Sequence, residues 1–282
     1  MKTTSIRTVT LPSGERLPAF GMGTWKMGED PAAHADEIET LREGIDMGAA
    51  LIDTAEMYGG GLAEKLVGEA INDRRDDVFL VTKVLPQNAS RRRMSAACDA
   101  SLRRLNTDRI DLYLLHWRGD VPLEETVEAF MALQSAGKIR RYGVSNFDLA
   151  DMQELWSVPG GADVSTNQLL YNLSRRGIEW DLLPWLRARE VPVIAYSPIE
   201  ESRLLLNPRL MNFAEQHGMT PAQVALSWLL AKDDVIVIPK TGHRERLEEN
   251  LGALEHRLTK AQLAELDRLF PPPNGPRPLE MI

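Results

Sequence analysis

Short apolar runs alternate with longer amphipathic segments along most of the chain. The runs have the length and the Val, Ile and Leu content of buried strands, and the segments between them repeat apolar residues at helical spacing. Eight strand-then-helix units follow one another without a Pro/Gly-rich linker, which favours one closed parallel barrel over two smaller domains. The predicted strands are AFGMG, ALIDTA, VFLVTKV, DLYLLHW, RYGVSNF, VSTNQLLY, VPVIAYSP and VIVIP. The predicted helices are 32–48, 62–72, 92–105, 123–136, 148–156, 178–190, a helical region 208–231, and 243–252.

Two further segments complete the predicted fold. The run SIRTVTLPSGERLPAF fits two short strands joined at Ser13-Gly14, which predicts an N-terminal β-hairpin that caps one end. After a last predicted helix at 260–269, the segment PPPNGPRPLEMI is too rich in proline for a regular helix. We therefore predict an α/β fold in which residues 1–282 form one (β/α)8 TIM barrel domain, with 271–282 as an extended C-terminal tail.

Length and charge exclude several function classes. With 282 residues, 43% of them hydrophobic, the chain can bury a substantial core. The 33 basic and 41 acidic residues give a formal charge of −8, which repels phosphate backbones and anionic lipids, so we expect neither a nucleic-acid nor a membrane partner. A single cysteine, Cys98, excludes an intrachain disulfide and fits a reducing compartment. Since MKTTSIRTVT lacks a signal-peptide apolar core, we expect a cytoplasmic protein, and we expect it to be a monomer.

Four residues that are costly to bury lie at or just after the ends of apolar runs. In a parallel barrel the carboxyl ends of the strands meet on one face, where catalytic residues collect. A charged side chain inside dry protein costs several kcal/mol unless it is paired, so the lysine within VFLVTKV needs a partner and a reason. The pattern predicts one proton-delivery cleft formed by Asp53, Tyr58, Lys83 and His116.

The chemistry of these side chains suggests a role for each. Tyr58 is the candidate general acid, because a phenol can protonate a carbonyl oxygen as negative charge develops there. We expect Lys83 to lower the pKa of that phenol and Asp53 to neutralise the lysine. His116 is expected either to donate a hydrogen bond to the same oxygen or to assist the proton relay. Taken singly, Tyr58, Asp53 and His116 also fit structural roles as a loop aromatic, a cap and a core histidine. Another alternative is a lyase in which Lys83 forms a Schiff base with a carbonyl substrate. No metal site is expected.

A second candidate site is IPKTGHRERLEEN, which follows the last apolar run and opens a helix. Free backbone N–H groups and the helix dipole favour anions at such a position, and barrels often bind phosphate in the loops after strands 7 and 8. Lys240, Thr241, His243 and Arg246 would surround the anion. The alternative is a solvated helix start with charge pairs such as Arg246 and Glu249.

The glycines do not support a Rossmann dinucleotide site. Gly59-Gly60-Gly61 follows a predicted strand and precedes a helix, but a G-x-G-x-x-G motif read from Gly59 would need glycine where Glu64 stands. This segment is better interpreted as a flexible bend that carries Tyr58.

The chain as a whole resembles the aldo-keto reductases, which are NAD(P)H-dependent (β/α)8 barrels. The resemblance spans residue 6 to about residue 270 and rests on the segments AFGMGTW, DTAEMYGGG with AEKLVG, TKV, LLHW, GVSNF, TNQLLYN, AYSP and IPKTGHRERLEEN. It implies that Asp53, Tyr58, Lys83 and His116 form the family's catalytic tetrad, with Tyr58 donating the proton after hydride arrives from the nicotinamide.

The resemblance also implies a cofactor, NADPH, and residues that contact it and the substrate. The implied cofactor contacts are Gly23, Thr24 and Asp53 near the reactive end, Ser145, Asn146 and Gln168 at the carboxamide, Tyr196 stacked on the nicotinamide, Ser197 and Ile199 along the pyrophosphate, Lys240, Thr241 and Arg246 at the 2′-phosphate, and Glu249 and Asn250 at the adenine. Trp25 and Trp117 would form the walls of the substrate pocket, beside Tyr58 and His116.

Some features depart from the commonest family pattern or narrow the subgroup. Many members have a short Tyr-x-Asn/Ser-Glu link, whereas Gly59 to Ala63 separate Tyr58 from Glu64 here. The loops WRGDVPLEE and SPIEESRLLLNP are short, and together with the tail they resemble the bacterial members that reduce methylglyoxal and other small reactive aldehydes or ketones. Some relatives are instead non-catalytic NADPH-binding sensors, an alternative disfavoured here because all four tetrad positions are filled. The physiological substrate and the direction of the reaction are not predicted.

Overall fold

The computed structural model describes residues 6–282, and within that range it has ten β-strands and ten α-helices. The strands are β1 (Thr8–Thr10), β2 (Arg16–Pro18), β3 (Gly21–Gly23), β4 (Leu51–Asp53), β5 (Phe79–Val84), β6 (Ile110–Leu115), β7 (Ile139–Ser145), β8 (Asn167–Leu170), β9 (Val193–Tyr196) and β10 (Val235–Val237). The helices are α1 (His34–Asp46), α2 (Leu62–Ala70), α3 (Arg91–Arg104), α4 (Leu123–Ser135), α5 (Leu149–Ser157), α6 (Leu182–Arg187), α7 (Pro208–Gln216), α8 (Pro221–Leu230), α9 (Arg244–Gly252) and α10 (Lys260–Leu269).

Strands β3 to β10 form one parallel sheet in chain order. Parallel bridges join Phe20 to Val237 and Gly23 to Lys240, so the first and last strands of the sheet also meet. The sheet therefore closes, and the predicted (β/α)8 barrel is confirmed. Strands β1 and β2 pair antiparallel in a separate sheet, which confirms the predicted hairpin.

The hairpin fills one end of the barrel because its apolar residues pack with those that point inward from the strands. Val9 and Leu17 of the hairpin share a buried cluster with Leu51, Val81 and Leu112. Leu80 and Tyr113, one position away along β5 and β6, belong instead to the cluster between the sheet and the helices. Side chains of a strand alternate between its two faces, so the residues two positions after the inward leucines and valine also point into the barrel. These residues are Asp53 on β4 and Lys83 on β5. The same step of two residues from Leu114 leads to His116, which directly follows the end of β6.

Two predicted helices differ from the structure. The segment 178–190 is helical only in α6, and a 3-10 turn at Gly177–Glu179 precedes it. The region 208–231 is divided into α7 and α8, because Gly218 takes a left-handed φ of 63°. A capping box between Thr220 and Gln223 then starts α8.

Residues 271–282 have no regular secondary structure, as predicted for the tail. Leu279 packs against the core outside the sheet, and the Glu280 carboxylate lies 2.5 Å from the Arg175 guanidinium. Residues 1–5, which belong to the predicted barrel domain, lie outside the described residues. Among residues 6–282, no helix is both long and apolar enough to cross a membrane.

Candidate active site

The side chains predicted to form a proton-delivery cleft do lie together. The Lys83 side chain is fully buried, and its Nζ donates hydrogen bonds to Asp53 Oδ1 at 2.6 Å, to the Thr54 carbonyl at 2.8 Å and to the Tyr58 hydroxyl at 3.1 Å. Asp53 ends β4 and Lys83 lies on the neighbouring β5, so the closed barrel itself brings the two charges into contact. All three ammonium protons therefore have acceptors.

His116 is on the same face of the barrel, directly after β6. Its ring centroid lies 5.9 Å from that of Tyr58, and the Asn146 side-chain amide donates to its carbonyl at 3.1 Å. Burial, aided by the Lys83 charge, lowers the pKa of His116 to about 2, so the imidazole is neutral at working pH. Its buried Nδ1 has no hydrogen-bond partner among residues 6–282. A proton on Nδ1 would lack an acceptor, which favours the tautomer that carries its proton on Nε2.

The neutral His116 has a consequence for stability. Because its pKa falls from about 6.5 in the unfolded chain to about 2 in the folded one, only the unfolded state takes up this proton between those values. The contribution to stability is present above pH 6.5 and is lost as the pH falls. We expect about 2 kcal/mol less stability at pH 5 than at pH 7 from this residue alone. Urea unfolding at both pH values would check this: the pH effect should shrink in a His116→Gln variant, and an unchanged pH effect would contradict a neutral His116.

The net pKa of Tyr58 differs from the expectation. Burial raises the pKa of Tyr58, the Lys83 ammonium lowers it, and the Asp53 carboxylate raises it again, so that the net direction is upward. The predicted contribution of Lys83 is confirmed, but the predicted net lowering is wrong because desolvation of a phenolate outweighs one nearby ammonium. The phenol therefore keeps its proton and is available as a donor.

Lys83 is held as an ammonium ion. Burial by itself would lower the pKa of Lys83, but Asp53 and Tyr58 more than offset this and the net pKa is raised. A Schiff base needs a neutral amine with access to the substrate. Lys83 is charged, fully buried and bonded to three oxygens, so the lyase alternative does not fit this geometry.

A cavity of about 460 Å³ opens in front of Tyr58 and His116 and extends to the start of α9. Lys83 lies behind its wall and is not part of the lining. Glu249 and Asn250, the implied adenine contacts, do not line it either, and Asn250 is buried. The implied contacts that do line it are Gly23, Thr24, Trp25, Asp53, Tyr58, His116, Trp117, Ser145, Asn146, Gln168, Tyr196, Ser197, Ile199, Lys240, Thr241 and Arg246.

The residues implied at the nicotinamide form a hydrogen-bonded group. The Tyr196 hydroxyl donates to Asn146 Oδ1 at 2.9 Å, and the Ser145 hydroxyl donates to the Gln168 carbonyl at 2.9 Å. Gln168 Nε2 also donates to Asp53 Oδ2 at 2.7 Å. Sequence reasoning missed this last bond, because nothing in the local pattern places a glutamine on β8 next to an aspartate on β4.

The other end of the cavity suits phosphate groups. Ser197 has a left-handed φ of 48°, and its buried hydroxyl has no hydrogen-bond partner within residues 6–282. Lys240 precedes α9 and Arg246 lies in its first turn, and in the described part of the chain neither forms an ion pair. An unsatisfied hydroxyl and two free cations beside a helix N-terminus fit the pyrophosphate and 2′-phosphate of NADPH.

Several cavity residues were not predicted. Met57 precedes Tyr58, Lys26 follows Trp25, and the last two residues of the tail, Met281 and Ile282, also line the cavity. The apolar end of the otherwise polar, proline-rich tail is the one signal in the sequence that points to a buried or cavity-facing position.

Comparisons with known proteins agree with this geometry. The model of the Aldo/keto reductase family matches residues 19–270. Methylglyoxal reductase YeaE of Escherichia coli strain K12 is 51% identical over 271 residues, which cover 94% of this chain and 95% of that protein. Glyoxal reductase of Bacillus subtilis strain 168 is 31% identical over 287 residues, covering 100% of both chains. A crystal structure of an aldo/keto reductase from Klebsiella pneumoniae in complex with NADP and acetate is 48% identical, with a TM-score of 0.95, and covers 98% of this chain and 100% of that chain.

Proposed function

The chain belongs to the aldo/keto reductase family, and we propose that it reduces small ketoaldehydes such as methylglyoxal with Tyr58 as the proton donor. It is an NADPH-dependent carbonyl reductase, as the sequence resemblance implied. The observation that carries the choice of acid is the 3.1 Å contact between the Tyr58 hydroxyl and the buried Lys83 ammonium at the cavity wall.

The roles of the side chains follow from this contact. Bound NADPH supplies a hydride to the carbonyl carbon. As negative charge develops on the carbonyl oxygen, the Tyr58 hydroxyl donates its proton to it. The Lys83 ammonium then stabilises the phenolate, and Asp53 keeps the ammonium charged. Neutral His116 can hydrogen-bond the same oxygen without competing as an acid, because its pKa is about 2.

The cofactor would occupy the length of the cavity. We propose that Gln168, Asn146 and Ser145 hold the carboxamide and that Tyr196 stacks on the nicotinamide ring. Ser197 would donate its unpartnered hydroxyl to the pyrophosphate. Gly23 and Thr24 would contact the cofactor near its reactive end, and Lys240, Thr241 and Arg246 would hold the 2′-phosphate.

The substrate pocket favours small carbonyl compounds. Trp25 contacts Tyr58 edge to face with ring centroids 4.9 Å apart, and the Trp117 ring lies 4.9 Å from that of His116. These aromatic residues line the cavity together with Met281 and Ile282 of the tail, and we propose that they restrict the substrate to a small carbonyl compound once NADPH is bound. YeaE, the relative with 51% identity, is a methylglyoxal reductase, which supports a ketoaldehyde as substrate.

NADPH oxidation followed by absorbance, across a panel of small aldehydes, dicarbonyls, keto sugars and one steroid ketone, tests this proposal. We expect the highest kcat/KM with methylglyoxal or glyoxal and no measurable turnover of the steroid. Tight NADPH binding with no turnover of any carbonyl compound would instead favour the sensor alternative. The monomeric state stays a prediction that light scattering would check.

Replacing Arg246 with alanine is expected to weaken selectivity for NADPH. Because a hydrogen-bonded charge pair to phosphate contributes about 1.5–3 kcal/mol, KM for NADPH should rise about 10- to 100-fold, with little change for NADH. Arg244→Ala is the matched control, since Arg244 opens the same helix but pairs with Glu43 and Glu248. Equal effects on NADPH and NADH would show that Arg246 does not contact the 2′-phosphate.

A further inference from the structure

The loop between Tyr58 and α2 consists entirely of glycine, so no side chain restricts its backbone conformation. Gly59, Gly60 and Gly61 have φ values of 56°, 62° and 95°, all in the region that side chains other than glycine rarely adopt. Three successive glycines in a turn impose little stiffness of their own. The position of Tyr58 must therefore be fixed by contacts around the loop.

Glu64, in the first turn of α2, provides the first contact. Its side chain is fully buried and accepts a hydrogen bond from the Thr82 hydroxyl at 2.6 Å. Thr82 precedes Lys83 on β5 and points away from the barrel interior, whereas Lys83 points into it. Glu64 thus ties the end of the glycine loop to the strand that carries the partner of Tyr58.

Arg104, the last residue of α3, provides the second contact. Its Nε donates to Glu64 Oε2 at 2.6 Å, and its Nη2 lies 2.5 Å from the same oxygen. The Arg104 side chain also lies directly on the loop: a Cβ added to Gly61 would be 2.6 Å from its Cδ and 2.7 Å from its Nε. A Cβ added to Gly60 would meet nothing within 4 Å.

We propose that Glu64 and Arg104 are positioning residues, which hold the Tyr58 hydroxyl against the Lys83 ammonium by closing the Gly59–Gly61 loop. A buried ion pair is weak support for stability, since its desolvation offsets most of its attraction. The pair instead lies between the Gly59–Gly61 loop, which follows Tyr58, and β5, which carries Lys83. It can therefore fix the position of Tyr58 relative to Lys83. This inference rests on the proposed function, in which Tyr58 is the proton donor.

Two alanine substitutions in the loop provide a matched test. Gly60→Ala and Gly61→Ala both place a side chain at a positive φ, but only the second displaces Arg104. We expect kcat of Gly60→Ala for methylglyoxal to stay within about twofold of the wild-type value, because Gly60 is exposed to solvent. Gly61→Ala should lose up to about 100-fold in kcat, the cost of a misplaced catalytic group, with an unchanged Kd for NADPH. Equal losses in both variants would overturn the proposal.

A second pair of variants separates positioning from stability. Glu64→Gln removes the charge of the buried carboxylate that Arg104 pairs with. Asp111→Asn does the same for a buried carboxylate at the other end of the barrel, which lies 2.7 Å from Arg75 and 3.2 Å from Arg140. Both should lower Tm. If Glu64 positions Tyr58, Glu64→Gln alone should lower kcat and move the rising limb of the pH profile for alcohol oxidation to higher pH, because Tyr58 loses part of its contact with Lys83.

The outcomes distinguish this inference from the proposed function. An unchanged pH profile in Glu64→Gln, with kcat lowered no more than in Asp111→Asn, would overturn the positioning role and leave Tyr58 as the acid. Full activity in a Tyr58→Phe variant would remove the proposed function itself.

Discussion

Replacing Tyr58 with phenylalanine is expected to lower kcat for methylglyoxal reduction about 10²- to 10⁴-fold, the usual contribution of a positioned general acid. The substitution removes one hydroxyl and leaves the ring between Trp25 and His116. The Lys83 ammonium keeps its bonds to Asp53 and to the Thr54 carbonyl, so the barrel should fold normally. NADPH binding should change little because the hydroxyl bonds to the lysine.

Fluorescence titration with NADPH and steady-state kinetics would separate binding from catalysis in this variant. Tyr142→Phe is a suitable control: Tyr142 is also buried, its hydroxyl donates to the Gly160 carbonyl, and it does not line the cavity. The control should lose some stability but keep its kcat. If Tyr58→Phe turned over methylglyoxal as fast as the control, another group would have to supply the proton.

The sequence was sufficient to place three of the four proton-delivery groups because their positions follow from strand periodicity, whereas Tyr58 lies outside the strand, five residues after Asp53. Leu51, Val81 and Leu114 point into the barrel, and a step of two residues leads to Asp53, Lys83 and His116. A closed barrel then brings the ends of β4, β5 and β6 to one face. Each of these inferences needs only the sequence of one strand and the rule that the carboxyl ends of the strands in a parallel barrel lie on one face.

The features that could not be predicted depend on contacts between distant segments. The bond from Gln168 to Asp53 joins residues 115 positions apart, and the ion pair of Arg104 with Glu64 joins different helices. The net pKa of Tyr58 depends on how far the side chain is buried, which a sequence does not show. The tail was predicted to be extended, but its entry into the cavity depends on packing against the finished barrel.

Removal of the Lys83 charge is the second change with a large expected effect. The structure gives the direction in which the pKa of Tyr58 should then move. Burial raises the pKa of Tyr58 and the Lys83 ammonium opposes this, so loss of the ammonium must raise the pKa of Tyr58 further. In alcohol oxidation the phenolate is the form that accepts a proton, and the rate rises with pH up to that pKa. The rising limb should therefore move to higher pH in the variant.

Lys83→Met alone would leave the Asp53 carboxylate buried without its cation, which costs about 3–5 kcal/mol and could unfold the protein. The double variant Lys83→Met/Asp53→Asn removes both charges together and avoids this cost. Asp53 raises the pKa of Tyr58, but by less than Lys83 lowers it, so the loss of both charges should still move this pKa upward. We expect the double variant to fold, to lose about 10²- to 10⁴-fold in kcat, and to show the shifted limb when oxidation of an alcohol by NADP⁺ is followed against pH.

The matched control for this double variant is Lys138→Met/Asp99→Asn, which removes another lysine–aspartate pair, 2.5 Å apart, that does not line the cavity. The control should keep the wild-type pH profile. Because the control loses the same two charges from the chain, a shift confined to the Lys83 variant must come from the site itself and not from net charge. A rising limb at the same pH in both double variants would mean that the Lys83 ammonium does not set the pKa of the proton donor, and the assignment of Tyr58 would then lose its physical basis.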